Sequence, residues 1–247
     1  MFLHAVFSLL RPQRRGSIIK GRKTPAQQPG TERMISMTFL QQTRAAAAQT
    51  VLKALARRNM TGEYCPTAAD ALEAVKRFLI PGTSVSWGGS ASLEEIGAME
   101  AIRESGCTVL DRHAASSPEE EEEIYRRLLF CDTYFMSANA VTMDGVLVNI
   151  DGNANRVAAL CFGPRKVVLV VGMNKVAADL ESAISRARNT AGPANATRLG
   201  LSTPCVSVGR CCNCQSEDCI CCQVVITRRS RRPNRIHVIL VGEDLGF

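Results

Sequence analysis

Hydrophobic residues recur at helical spacing between residues 38 and 58, and this pattern predicts the first helix of the chain. Thr67 and Asp70 form a capping signature, so a second helix is expected to begin there. Ser117, followed by Pro118 and five glutamates, predicts a further helix start, because acidic residues stabilise the positive end of a helix. A last long helix is expected over residues 175–190, ended by Gly192 and Pro193.

Short apolar runs between these helices predict strands at residues 83–87, 107–111, 133–137, 146–150, 166–172 and 235–241. The run 166–172 is continuously apolar, which is typical of a strand buried on both faces. The Asp144-Gly145 pair before residues 146–150 is a hairpin-type turn. Strands that alternate with helices predict an α/β protein with a mixed, mostly parallel sheet flanked by helices.

A glycine-rich loop follows the first predicted strand. Gly88 and Gly89 would let backbone N–H groups face an anion, and Ser90 can donate a hydroxyl. A helix is expected to start near Ser92, with Glu95 completing a capping box. The loop therefore indicates a binding site for a phosphate or carboxylate, although turn and cap chemistry alone would also explain it.

Small polar side chains are dense after two later strands: Asn139, Thr142, Asn149, Asp151, Asn153, Asn155 and Arg156. Amides, one carboxylate and one guanidinium suit a polyhydroxyl or carboxylate ligand, and Arg156 would pair with a carboxylate. The alternative is that these Asx residues only hold tight turns. Ligands of α/β proteins bind at strand ends, so a pocket for a small carboxylate or phosphate-bearing ligand is the preferred interpretation.

Seven of the eleven cysteines lie in residues 203–222. Cys205, Cys211, Cys214 and Cys221 form a C-x5-C-x2-C-x6-C ladder, and four thiolates suit an iron–sulfur cluster and tetrahedral zinc about equally. Three further cysteines exceed a four-ligand site: Cys212, Cys219 and Cys222. A dithiol switch and ordinary packing are the alternatives to a metal centre.

The formal charge of +7 is concentrated in residues 1–36, which hold seven basic residues and one acidic residue. The rest of the chain is close to neutral, so the global charge gives no argument for nucleic-acid binding. Residues 1–36 read as a disordered basic leader, explained by a start codon placed too far upstream, before the domain at 37–247. Neither a secretory signal nor a membrane span is recognisable, and a cytoplasmic location is expected.

Taken together, these motifs resemble the LUD-domain (lactate utilisation protein) family over roughly residues 38–247. The resemblance is carried by residues 86–90, 137–142, 144–145, 149–157, 162–164, 172–175, 193–195, 203–205 and 243–247. It implies the fold shared by sugar-phosphate isomerases and CoA transferases. Cys205, Cys211, Cys214 and Cys221 match cysteines that a subgroup of the family carries near its C-terminus. Cys219 and Cys222 stand where that subgroup has Arg and Asn.

The resemblance implies a component of an iron–sulfur, electron-transferring system that oxidises lactate or a related small hydroxy acid, with a redox partner protein. A second hypothesis is a sugar-phosphate isomerase or acyl-transfer enzyme with structural zinc, and a third is a thiol redox sensor. No familiar catalytic set is recognisable, so the sequence leaves open whether the protein is an enzyme. It also leaves open whether the protein forms a homo-oligomer.

Overall fold

The computed structural model describes residues 37–247, and the predicted leader 1–36 lies outside the described residues. Within 37–247 the chain forms one compact unit. No helix in this range is both long enough and apolar enough to cross a membrane.

A six-stranded parallel sheet forms the centre of the unit, in the order β1-β10-β7-β4-β2-β3. Its strands are β1 (Thr61–Cys65), β2 (Ser84–Trp87), β3 (Thr108–Leu110), β4 (Thr133–Met136), β7 (Lys166–Gly172) and β10 (Ile236–Val241). The run of β7 is buried from Val167 to Gly172, as its continuous apolar sequence predicts. The α/β class with a parallel sheet flanked by helices is therefore confirmed.

Four further strands form a second, mixed sheet in the order β8-β5-β6-β9. They are β5 (Ala140–Thr142), β6 (Leu147–Asp151), β8 (Val176–Ala177) and β9 (Gln223–Thr227). Strands β5 and β6 pair antiparallel across the Asp144-Gly145 turn, which confirms the predicted hairpin. β9 follows the cysteine segment directly and pairs with β6, so it ties that segment to the rest of the domain.

Helices cover both faces of the parallel sheet. They are α1 (Phe39–Arg57), α2 (Ala68–Lys76), α3 (Ala91–Glu95), α4 (Ala98–Arg103), α5 (Pro118–Arg127), α6 (Asn155–Cys161), α7 (Leu180–Arg186), α8 (Gly192–Arg198) and α9 (Pro204–Val208). Alternate residues of each strand enter opposite cores, so Tyr134 packs with α1, α5 and α6 while Phe135 packs with α2, α3 and α4. The second sheet packs its other face against α7.

The predicted end of the last long helix is wrong. Gly192 and Pro193 do not stop it; a π-helical turn over Ala187–Ala191 leads directly into α8. The wider turn changes the hydrogen-bond register, and Pro193 then occupies the first turn of α8, where its missing N–H removes no intrahelical bond. The helix also starts later than predicted, with Asp179 as its cap.

The cap of the helix after the glycine loop lies two residues earlier than expected. Ser90, not Ser92, is the cap, and its hydroxyl accepts a hydrogen bond from the Leu93 N–H. Glu95 completes no capping box; its carboxylate accepts the Gly246 N–H at 2.6 Å and so holds the C-terminal tail. This moves Ser92 into the interior, where it is fully buried.

Candidate functional site

A polar pocket of about 220 Å³ lies at the carboxyl edge of the parallel sheet. Its walls come from segments that follow strands: Gly89 after β2, Arg112 after β3, Ser137 after β4, Lys175 after β7 and Phe247 after β10. Another side is closed by Asp151, the last residue of β6 in the second sheet, and by Gly152, Asn153, Asn155 and Arg156 after it. This is where α/β proteins bind small ligands, because loops and helix starts converge there.

The pocket is rich in cationic side chains. Arg112, Arg156, Lys175 and Arg198 line it, whereas Asp151 is the single acidic side chain among its described lining residues. An excess of guanidinium and amine groups in a small concave site favours an anionic ligand. The pocket is therefore suited to a small carboxylate or phosphate.

Most of the ligand residues expected from sequence line this pocket: Gly89, Ser90, Asn139, Asp151, Asn153, Asn155 and Arg156. Three do not. Thr142 is fully buried and holds the β5–β6 turn through Asp144 and the Val146 N–H. Gly88 lies beside the pocket, and a Cβ there would come within 2.9 Å of the Tyr134 hydroxyl oxygen.

Asn149 is the third residue outside the pocket lining. It is fully buried in β6, and neither atom of its amide has a hydrogen-bond partner among the described residues. The Tyr134 hydroxyl is likewise buried without a partner there. Burial also raises the pKa of Tyr134, so its hydroxyl stays protonated at neutral pH.

Arg156 is anchored by its neighbours. Its Nε donates to Asp151 at 3.3 Å, and one terminal nitrogen donates to the Ile150 carbonyl at 2.6 Å and the Asn139 amide oxygen at 3.2 Å. Asp151 also accepts the Val157 N–H at 3.2 Å, at the start of α6. The guanidinium is thereby fixed at the pocket wall, with its second terminal nitrogen making no hydrogen bond to a described residue.

Arg112 is a pocket residue that the sequence analysis missed. Its guanidinium lies over the Tyr125 ring at 5.8 Å and within 3.1 Å of the position a Cβ would take at Gly89. Within residues 37–247 it has no hydrogen-bond or ion-pair partner. A half-buried arginine with all its donors free is prepared to bind an incoming carboxylate in a bidentate pair.

Lys175 is a second missed residue, and it lies at the inner wall of the pocket with 4% exposure. Its Nζ donates to the Ser92 hydroxyl at 2.8 Å and the Ser137 hydroxyl at 3.2 Å. Burial, with the nearby charge of Arg186, lowers the pKa of Lys175 to about 7. A lysine with so strongly lowered a pKa in a ligand pocket is typical of a functional site.

The cysteine segment encloses a second cavity of about 190 Å³. Six cysteines line it: Cys205, Cys211, Cys212, Cys214, Cys219 and Cys221. The four cysteines of the predicted ladder are therefore brought to one place, whereas Cys222 is exposed outside the lining. The Arg188 guanidinium lies 3.5 Å from the Cys211 sulfur and donates to Asn213 at 2.7 Å, which places a positive charge beside the thiols.

The thiols stand around the cavity rather than converging on a point. No group of three His, Cys, Asp or Glu side chains in residues 37–247 is arranged to hold a single metal ion. Burial, together with the neighbouring thiolates of Cys219, Cys211, Cys205 and Cys214, raises the pKa of Cys221 to about 11. A hydrogen bond from Ser216 lowers the pKa of Cys214.

The two cavities share a wall. Ile150 of β6 and Ile220 of the cysteine segment line both of them. The Cys222 N–H donates to the Asp151 carbonyl at 2.9 Å, so the two linings are also joined through the backbone. One layer of side chains therefore separates the cation-rich pocket from the thiol-lined cavity.

A parallel-sheet α/β domain with an anion pocket at its carboxyl edge and an adjoining cysteine cavity is the class of protein that the fold and site define. The LUD-domain family model matches residues 48–241, so the chain belongs to the LUD-domain family, which is associated with lactate utilisation. The comparison with curated proteins gave no match. Among solved structures, the chain is similar to a DUF162 family protein from Deinococcus radiodurans, at 14% identity over 80% of this chain and 98% of that one, with a TM-score of 0.46.

Proposed function

We propose that this protein is a component of an iron–sulfur system that oxidises lactate or a related small 2-hydroxy acid. The polar pocket binds the acid, and the cysteine cavity holds a cluster that accepts or passes on electrons. The observation that supports this proposal is the shared wall of Ile150 and Ile220, because an acid bound in the pocket would then lie next to a cluster held in the cysteine cavity.

The charge and size of the pocket support a small carboxylate as its ligand. The free guanidinium of Arg112 would bind the carboxylate, and the amides of Asn139 and Asn153 would contact the hydroxyl. Arg156 is fixed by Asp151, so it contributes positive charge without moving. The pocket volume of about 220 Å³ accommodates a small carboxylate.

The thiol set supports a cluster. Iron–sulfur clusters are held by four cysteine thiolates, and the four cysteines of the ladder all line this cavity. Cys205, Cys211, Cys214 and Cys221 would hold it, and Arg188 would offset part of its negative charge. When bound, the cluster would supply one-electron transfer to a partner protein.

Anaerobic purification followed by iron, sulfide and zinc analysis tests the cluster. We expect iron and acid-labile sulfide in the wild type and a loss of both in Cys221→Ser. Cys161→Ser is the matched control, because Cys161 is an exposed cysteine outside the cavity, and it should retain the wild-type iron content. Zinc without sulfide, or protein free of metal, would contradict the proposal.

Thermal shift with lactate tests the pocket. At a concentration about 100 times the dissociation constant, a ligand of the native state adds about 2.7 kcal/mol to the free energy of unfolding. We expect both the shift and its loss in Arg112→Gln, because the free guanidinium is removed. Arg127→Gln, an exposed arginine of α5 outside the pocket, should behave as the wild type. An equal shift in both variants would show that Arg112 does not bind the acid.

A further inference from the structure

Lys175 offers an amine whose environment differs from that of an ordinary buried lysine. No carboxylate in residues 37–247 lies within ion-pair distance of its Nζ. The charged groups nearest to it are Arg186 of α7, Arg156 of α6 and Glu95 of α3, two of them positive. A buried ammonium in these surroundings is disfavoured, so a substantial fraction of the amine is in its neutral, nucleophilic form near neutral pH.

Two serine hydroxyls surround the Lys175 amine, and each has a backbone carbonyl oxygen within reach of its own proton. The Ser92 hydroxyl lies 3.3 Å from the Leu245 carbonyl, and the Ser137 hydroxyl lies 3.3 Å from the Ala138 carbonyl. The Ser137 hydroxyl also lies 3.5 Å from the Ser92 hydroxyl. When each hydroxyl donates to its carbonyl, it can accept one N–H of Lys175. A neutral amine has two N–H bonds, so both are used by the serines and the nitrogen lone pair remains free.

The same pocket also contains the group that would orient an oxo acid. No guanidinium donor of Arg112 is bonded to a residue of the described range 37–247, and Arg112 lines the cavity with Lys175. A carboxylate bound by Arg112 would leave the adjacent carbonyl carbon of a small 2-oxo acid inside the pocket with the amine. Effective concentration at such a site greatly exceeds that in solution.

We propose that Lys175 forms an imine with a small 2-oxo acid, the product class of 2-hydroxy-acid oxidation. The lone pair of Nζ attacks the ketone carbon, and the resulting carbinolamine loses its hydroxyl and an amine proton as water, leaving a C=N bond. No oxidant is required, because the step is a condensation. The substrate class rests on the proposed function, whereas the imine step needs no cluster.

Reductive trapping tests this inference. Full-length protein is incubated with pyruvate and cyanoborohydride; hydride adds to the imine carbon and a proton to the nitrogen, which makes the bond permanent. Intact-mass analysis should show one reduced pyruvate adduct, and peptide mapping should place it on Lys175. An excess of lactate, which has no ketone, should compete for the pocket and lower the yield.

Lys175→Arg should abolish the adduct. Lys166→Arg is the matched control, since burial also lowers the pKa of Lys166 but its Nζ donates to the Asn234 carbonyl away from the pocket. Arg112→Gln leaves Lys175 in place and should reduce trapping several-fold at low pyruvate, which gives a test that does not depend on Lys175→Arg folding. Absence of an adduct, or an adduct spread over other lysines, would overturn the inference.

The result can be separated from that of the proposed function. An adduct on Lys175 in protein that lacks iron and sulfide would support the imine and contradict the electron-transfer role. Iron and sulfide without an adduct would support the cluster and leave Lys175 as an amine that only bridges Ser92 and Ser137.

Discussion

Lys175 links the C-terminal tail, α3 and the end of β4 through two serine hydroxyls and the carbonyls behind them. Such a position explains both its burial and its lowered pKa, because the amine keeps hydrogen bonds but gains no counter-ion. Because the pKa of Lys175 differs between the folded and the unfolded chain, this residue makes the free energy of unfolding depend on pH.

Replacing Lys175 with Met should remove a pH-dependent part of the stability. The pKa falls from 10.5 in the unfolded chain to about 7 in the fold, so between these values the unfolded state binds more protons. The free energy of unfolding of the wild type, measured relative to Lys175→Met, should therefore rise with pH across this window, by on the order of 4 kcal/mol in total. Urea unfolding from about pH 7 to about pH 10 measures it. A constant difference would show that the amine is not perturbed.

At the residue scale, the sequence predicted most of the residues that line the polar pocket, but it did not predict Arg112 or Lys175. Asn139, Asp151 and Arg156 were recognisable because they cluster after strands in a short polar stretch. Arg112 and Lys175 also follow strands, β3 and β7, but each stands alone among unrelated residues. Only the parallel order of the strands shows that these separate ends meet.

The β5–β6 hairpin packs directly on the first helix. Arg58, which follows α1, donates to the Asp144 carbonyl at 2.6 Å, and a Cβ at Gly145 would come within 2.9 Å of the Leu55 nitrogen. Gly145 also has a φ of +83°, a conformation that side chains with a Cβ rarely adopt. The turn sequence thus serves both the hairpin and its contact with α1.

Gly145→Ala should destabilise the domain more than Gly82→Ala. Both glycines have positive φ, but a Cβ at Gly82 would contact nothing within 4 Å. The control should cost about 1 kcal/mol for backbone strain, and Gly145→Ala at least about 2 kcal/mol, since α1 backbone atoms would have to shift. Chemical denaturation measures both. Equal losses would mean that the hairpin does not pack closely on α1.

Arg235, directly before β10, connects that strand to the end of α6. It is 6% exposed, and its guanidinium donates to the carbonyls of Ala159, Leu160 and Pro164 at 2.6, 2.6 and 2.9 Å. Two of these carbonyls belong to the last turn of α6, where a positive charge also complements the helix dipole. Arginine at the start of β10 thereby fixes the end of α6.

Arg235→Gln should lower the free energy of unfolding by about 3 kcal/mol, because buried carbonyl groups lose a charged donor. Arg231→Gln is the control, since Arg231 is exposed and should change stability by about 0.5 kcal/mol or less. Thermal or urea unfolding of both variants decides the outcome. A small loss in Arg235→Gln would show that water satisfies these carbonyls instead.

At the element scale, the sequence predicted the strands that have a clear apolar run. It did not predict the short or polar strands β1, β5, β8 and β9. β1 contains Gly62 and Glu63, β8 has two residues, and β5 falls in a stretch that reads as a turn. β9 was not predicted, because its short Val-Val-Ile run directly follows the seven clustered cysteines, which were interpreted mainly as a metal or redox site. These strands form through pairing with distant partners, a contribution that local pattern does not contain.

At the scale of the whole molecule, the polar pocket and the cysteine cavity were predicted separately, and their adjacency was not. It arises because β9, directly after the cysteine segment, pairs with β6, whose residues Ile150 and Asp151 line the polar pocket. Residues 205–222 are thereby held against residues 150–156. The pairing of β6 with β9 determines this arrangement. The residue spacing within 150–156 or within 205–222 therefore could not predict that the two cavities adjoin.

Electron paramagnetic resonance of the anaerobically purified, reduced protein, recorded with and without lactate, tests the link between the two cavities. We expect an iron–sulfur signal that changes when lactate binds, since one layer of side chains separates acid and cluster. Arg112→Gln should keep the signal and lose the change. Absence of an iron–sulfur signal, or a signal that saturating lactate leaves unaltered, would contradict the account.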